Sequence, residues 1–131
     1  MSKHLLQVLI LAAGSDGEIQ KEELALIHKY KEHYPSFKNL SGIEYDTEIA
    51  GVFNKIKAGM SPDYIIEDIG KNIKESEKST AYALAYEICA SNFMIVPPEN
   101  DLLSLMKDKW KINDDDHEAI VRSIKIRYNF N

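Results

Sequence analysis

The segment Ser15-Asp16-Gly17-Glu18-Ile19-Gln20-Lys21-Glu22-Glu23 returns 76 residues later as Ser91-Asn92-Phe93-Met94-Ile95-Val96-Pro97-Pro98-Glu99. Ser15 pairs with Ser91, Asp16 with Asn92, Ile19 with Ile95 and Glu23 with Glu99. The register continues through Leu26/Leu102, Ile27/Leu103, Tyr30/Met106 and Tyr34/Trp110. Apolar pairs at i, i+1, i+4 and i+8 recur between any two amphipathic helices and carry little weight alone. A serine, an acid or its amide, an isoleucine and a glutamate at fixed places beside that stripe carry more. They point to two copies of one helix-loop-helix unit, over about 3–35 and 80–111.

Working outward, periodicity and punctuation predict seven helices and no strand. Lys3 to Gly14 is apolar nearly all round, as a central helix of a bundle must be. The second helix carries Leu26, Ile27, Tyr30 and Tyr34 inward and stops before Pro35. A capping box, Ser41 to Glu44, opens a third helix that buries Ile49, Val52, Phe53 and Ile56, and Gly59 ends it. Ser61-Pro62 starts a fourth with the stripe Ile65, Ile66, Ile69 and Ile73. The charged stretch Lys71 to Lys78 is read as a crossing to the second unit, whose first helix is expected from about Thr80 to Ser91. Pro97-Pro98 opens the sixth helix. Asn113 opens the seventh, with Asp114, Asp115 and Asp116 favouring its positive end and Ile120, Val121, Ile124 and Tyr128 facing inward. The expected fold class is therefore all-α: one compact domain over 1–131, a bundle of about seven helices with an internal pseudo-twofold.

Composition narrows the function classes. A chain of 131 residues can bury a core without disulfides or a structural metal. Its one cysteine, Cys89, lies in an apolar helical run, where a free thiol packs as a small hydrophobe, and this suits a reducing cytoplasm. A net charge of −5 argues against nucleic-acid binding. The basic residues Lys107, Lys109, Lys111, Arg122, Lys125 and Arg127 gather near the C-terminus and read first as a solvated helix face. The apolar run Leu5 to Ala13 is too short to span a bilayer, and its counterpart Tyr82 to Ala90 is equally apolar in mid-chain. Both read as buried helices rather than as a signal peptide or a membrane anchor.

One motif can carry chemistry. Three or four carboxylates surround a glycine turn at a helix start, where Asp16 and Glu23 suit a hard divalent cation shared with loop carbonyls, calcium or magnesium before zinc. The same residues have a structural reading: Asp16 closes an Asx-turn, and the glutamates cap free amides and complement the helix dipole. In the second copy Gly17 and Glu18 become Phe93 and Met94, leaving Glu99 as the only acid, so two equal cation sites are not expected. Phe93 and Met94 offer an apolar patch for a partner instead. Other constellations fail on spacing. His28 and His33 are five apart and diverge around a helix, and no nucleophile elbow, phosphate loop or cysteine cluster is present. His4, His28, His33 and His117 are read as surface or ordinary polar contacts, and Tyr82 and Tyr86 as core.

The apolar helix, the loop Ser15-Asp16-Gly17-Glu18-Ile19, Glu23 at the head of an amphipathic helix, and their return through Ala81-Tyr82-Ala83-Leu84-Ala85-Tyr86, Asn92, Ile95 and Glu99 together resemble the TerB-like family, named for the tellurite resistance protein TerB. The likeness runs from about Leu5 to Ile126. It implies a seven-helix bundle with internal symmetry, a link to tellurite and chemical stress, and divalent metal binding at Asp16, Glu18 and Glu23, with only Glu99 in the second copy. The resulting expectation is a non-enzymatic cytoplasmic protein, monomer or homodimer, that binds a divalent cation or a protein partner through the Asp16 to Glu23 edge. The alternative is a pure protein-protein interaction module with no metal, using Phe93 and Met94 or the basic C-terminal helix.

Overall fold

A helix surrounded on every side must be apolar on every side, and the N-terminal helix meets that condition. In the computed structural model, which describes residues 2–14, 19–37, 41–91 and 95–129, α1 (Ser2–Ala13) packs against α2 (Lys21–His33), α3 (Gly42–Lys57), α4 (Pro62–Lys71), α5 (Glu75–Ala90) and α6 (Pro97–Lys109). From Leu5 to Ala13 only Gln7 is not buried. Its amide donates to Glu48 Oε2 on α3 at 2.6 Å, so the one polar side chain in that stretch is satisfied. A last helix, α7 (Asp114–Tyr128), packs on α5. The described residues form seven α-helices and one 3₁₀ turn, Pro35–Phe37, with no strand. The expected all-α bundle is what the chain forms.

The helix contacts have the pattern that a duplicated unit would give. The equivalent helices α1 and α5 pack on each other at the centre. Helix α2 follows α1 and also touches α5, while α6 follows α5 and also touches α1. That exchange of contacts is what a twofold relation between the copies requires. Burial repeats in part at the same offset: Gln7 and Ala83 are both half-buried between buried neighbours, and Glu23/Glu99, Ile27/Leu103 and Tyr30/Met106 are all buried, although Tyr86 is half-buried where Ile10 is buried. The pair Tyr34 and Trp110 breaks the pattern. Tyr34 is 42% exposed, whereas Trp110 is buried and donates its indole N–H to the Ile66 carbonyl of α4 at 3.0 Å. Helix α4 packs on α6 and gives Trp110 a partner that the first copy does not supply to Tyr34.

Local signals explain most of the ends. Ser41 and Ser61 accept from the amides of Glu44 and Tyr64, and Asn113 accepts from Asp116 N at 2.7 Å. Gly59, at φ +81, closes α3 with the paired bonds Gly59 N to Ile56 O and Met60 N to Lys55 O. The charged stretch differs from the expectation. Helix α5 starts at Glu75 rather than near Thr80, because Glu77 Oε1 accepts the Lys74 amide at 2.7 Å and Lys78 pairs with Glu75 one turn away. In α3 Tyr45 joins Val52 in the core, while Ile49, Phe53 and Ile56 are half-buried. In α7 only Ile124 is fully buried; Ile120, Val121 and Tyr128 are half-covered, since this helix packs chiefly on α5.

Candidate functional site

The two loops of the duplicated unit lead into two helix heads with the same chemistry. At α2, Glu23 is the third helical residue and its Oε1 accepts the Gln20 backbone N–H at 2.7 Å. At α6, Glu99 occupies the same position and accepts the Val96 N–H at 3.1 Å. Both side chains are sequestered, at 0% and 1% exposure. A carboxylate removed from water costs free energy unless it is hydrogen-bonded, and an amide at a helix head with its positive dipole end is such a partner. The glutamate is therefore kept in both copies although only the first loop is acidic. Capping accounts for one oxygen of each.

Of the remaining candidates, Asp16 and Glu18 of the cation set and the Phe93 and Met94 patch lie outside the described residues. Among the described residues no group of three or more histidine, cysteine or acidic side chains is arranged to hold a metal ion. His28 and His117 make ordinary polar contacts, His33 is exposed, and His4 Nδ1 is buried with no hydrogen-bond partner among the described residues. His117 Nδ1 meets Tyr82 OH at 2.8 Å, and His28 Nδ1 meets Tyr45 OH at 3.2 Å. Burial lowers the His4 pKa from its usual value.

A cleft of about 540 Å³ opens at the loop end of the bundle. The end of α1 contributes Leu11 and Gly14, the α3–α4 corner contributes Ile56, Met60, Pro62 and Ile65, and α6 contributes Pro98, Leu102 and Leu105. Its walls are mostly apolar. Asp63 and Asp101, both exposed, are its charged lining residues, and no basic side chain is among the described residues that line it. Gly14 and Pro98 place it where the first loop begins and the second ends. Sequence reasoning singled out this end for its acids, whereas the structure shows an apolar depression beside it, assembled from four helices.

The structure adds a buried polar cluster that was not anticipated. Glu87, in the apolar heart of α5, accepts from Tyr30 OH on α2 at 2.6 Å, from Arg127 Nη1 on α7, and from Tyr128 OH at 3.1 Å. Both oxygens are engaged, so the carboxylate ties three helices together. Burial, followed by the Glu87 charge, pushes the Tyr128 hydroxyl up to about 12. Burial and the hydrogen bond to Glu87 raise Tyr30 further still. These hydroxyls stay protonated and act as donors. The signal available in the sequence was a lone acid within Ala81 to Ala90, since a charge on a buried helix needs partners. Those partners lie 40 to 57 residues away. No family model, no curated protein and no solved structure matches this chain.

Proposed function

We propose that this chain is a non-enzymatic, TerB-like binding module of the cytoplasm, and that it works by holding a protein partner at the loop end of the bundle. The observation that carries this reading is the apolar cleft lined by Gly14, at the end of α1, and Pro98, in the first turn of α6. Concave apolar surfaces with a few charged groups at the edge are the usual form of a binding site. The partner reading is favoured over a cation because Glu23 is no deeper than Glu99, whose loop carries no other acid, and each caps its own helix head. A role in tellurite or general chemical stress is the setting that the TerB-like resemblance implies.

A photo-reactive phenylalanine analogue in place of Met60, on the cleft rim and 37% exposed, tests this in living cells. Irradiation is expected to give covalent adducts of discrete mass. The same probe in place of Glu32, exposed on α2 away from the cleft, is expected to give none. Equal labelling from the two positions, or no adduct from either, overturns the reading.

A further inference from the structure

The outer face of α7 carries apolar and basic side chains together. Val121, Arg122, Lys125, Ile126 and Asn129 form one stripe with Glu118 at its upstream end, lining a shallow depression of about 590 Å³. Ile126 is 70% exposed, among the most exposed large apolar side chains described. It stands between two cations on a chain whose net charge is −5. The cleft at the loop end has the opposite character: aliphatic walls, two carboxylates and no cation among the described residues that line it. An exposed apolar side chain on a helix beside cations matches an apolar groove with acidic edges.

Resting on the reading of that cleft as a binding site, we propose that its occupant is α7 of a second copy of this chain. Ile126 enters between Met60 and Leu105, and Arg122 and Lys125 meet Asp63 and Asp101. The two surfaces lie on different sides of the bundle. On α5, Cys89 faces Ala12 of α1, whereas Ala83 and Glu87 face α7, so α5 stands between α7 and the helix that forms the cleft floor. A contact between patches on different faces is heterologous. It leaves one cleft and one α7 unfilled on every pair, and association therefore continues beyond a dimer unless a ring closes.

Sedimentation velocity from about 10 µM to 1 mM, at low and high salt, reads this directly. The full chain is expected to show a sedimentation coefficient that rises with concentration and falls back at high salt. Asp63→Lys with Asp101→Lys leaves a basic cleft facing a basic helix, and Arg122→Glu with Lys125→Glu leaves two acidic surfaces. Each double variant alone is expected to sediment as a monomer at all concentrations, and an equimolar mixture of the two is expected to associate again. Should the reversed cleft lose helix content, Asp63→Asn with Asp101→Asn and, separately, Ile126→Ser on the exposed face test the same contact, each expected to weaken association. A full chain that stays monomeric, or association indifferent to all these changes, overturns the proposal. Adducts from position 60 to a different protein, with a monomeric full chain, would sink the second copy and leave the binding reading standing. No adducts at all would end both.

Discussion

Removing the Tyr30 hydroxyl is the sharpest perturbation of the interior. Tyr30 is 2% exposed and donates to Glu87 Oε1 at 2.6 Å, within hydrogen-bond distance of a buried carboxylate. Tyr30→Phe keeps the ring, so no cavity opens and the change isolates one bond. A hydrogen bond to a charged group contributes about 1.5–3 kcal/mol. Arg127 and Tyr128 still hold the other oxygen, which keeps the charge compensated and places the loss near the middle of that range, about 2 kcal/mol. With an unfolding entropy of about 2.1 cal/mol/K per residue, this corresponds to a melting temperature lower by roughly 7 °C. Urea unfolding followed by circular dichroism measures the loss, and it should fall in the midpoint with the slope unchanged. Tyr34→Phe, whose ring meets Tyr30 edge-on but is 42% exposed, is expected to change stability by less than about 0.5 kcal/mol. A Tyr30→Phe protein as stable as the Tyr34→Phe protein refutes the view that Glu87 ties the helices together.

Two further outcomes follow from the packing and the titrating groups. At Gly70 of α4 a Cβ atom would lie 2.7 Å from Trp110 Nε1 and 2.9 Å from Cδ1, while at Gly51 of α3 it would meet nothing within 4 Å. Gly51→Ala should therefore gain close to 1 kcal/mol from helix propensity, whereas Gly70→Ala should lose about 1–3 kcal/mol to overpacking against a ring held by its bond to Ile66. Equal gains in denaturant midpoint at the two sites would show that the Trp110 packing is wrong. Tyr30, Tyr45, Tyr82, Tyr86 and Tyr128 all have hydroxyl pKa values raised in the folded state, each chiefly by burial. Above pH 10 the unfolded chain loses these protons first. The stability they contribute is thus complete below pH 10 and is lost as pH climbs through the folded values, for Tyr128 between 10 and about 12. Thermal melts between pH 8 and 11.5 should fall steeply at the alkaline end, and a flat profile would contradict the burial of these rings.

The fold was legible where local chemistry and burial agree. The repeat of Glu23 and Glu99, the all-round apolar run of α1, Ser61-Pro62 and Asn113 each announced an element that the chain forms. The start of α5 was missed because Lys74 to Lys78 carry no apolar stripe. The backward reach of Glu77 to the Lys74 amide was the one local cue. Tyr34 and Trp110 look equivalent in sequence, and only the docking of α4 on α6 separates their fates. Phe37 is buried from a 3₁₀ turn too short to carry a period. At the site, the capping glutamates could be read from spacing. The cleft could not, because its walls come from four helices whose meeting is a tertiary fact. Glu87 was conspicuous as a charge among alanines, yet its three donors are set by how α2 and α7 pack on α5.

If recognition belongs to the apolar cleft, as proposed, the glutamates at the two loop ends serve only their helix heads. Melting the protein in calcium, magnesium, manganese and zinc, each against a chelator control, tests it most directly. A site filled at one hundred times its dissociation constant would raise stability by about 2.7 kcal/mol, or roughly 10 °C here. The account predicts no shift with any of the four ions, and lower stability for Glu23→Ala and Glu99→Ala alike. A shift that disappears in Asp16→Asn, with Glu99→Ala harmless, would contradict it and return the acidic loop to a metal.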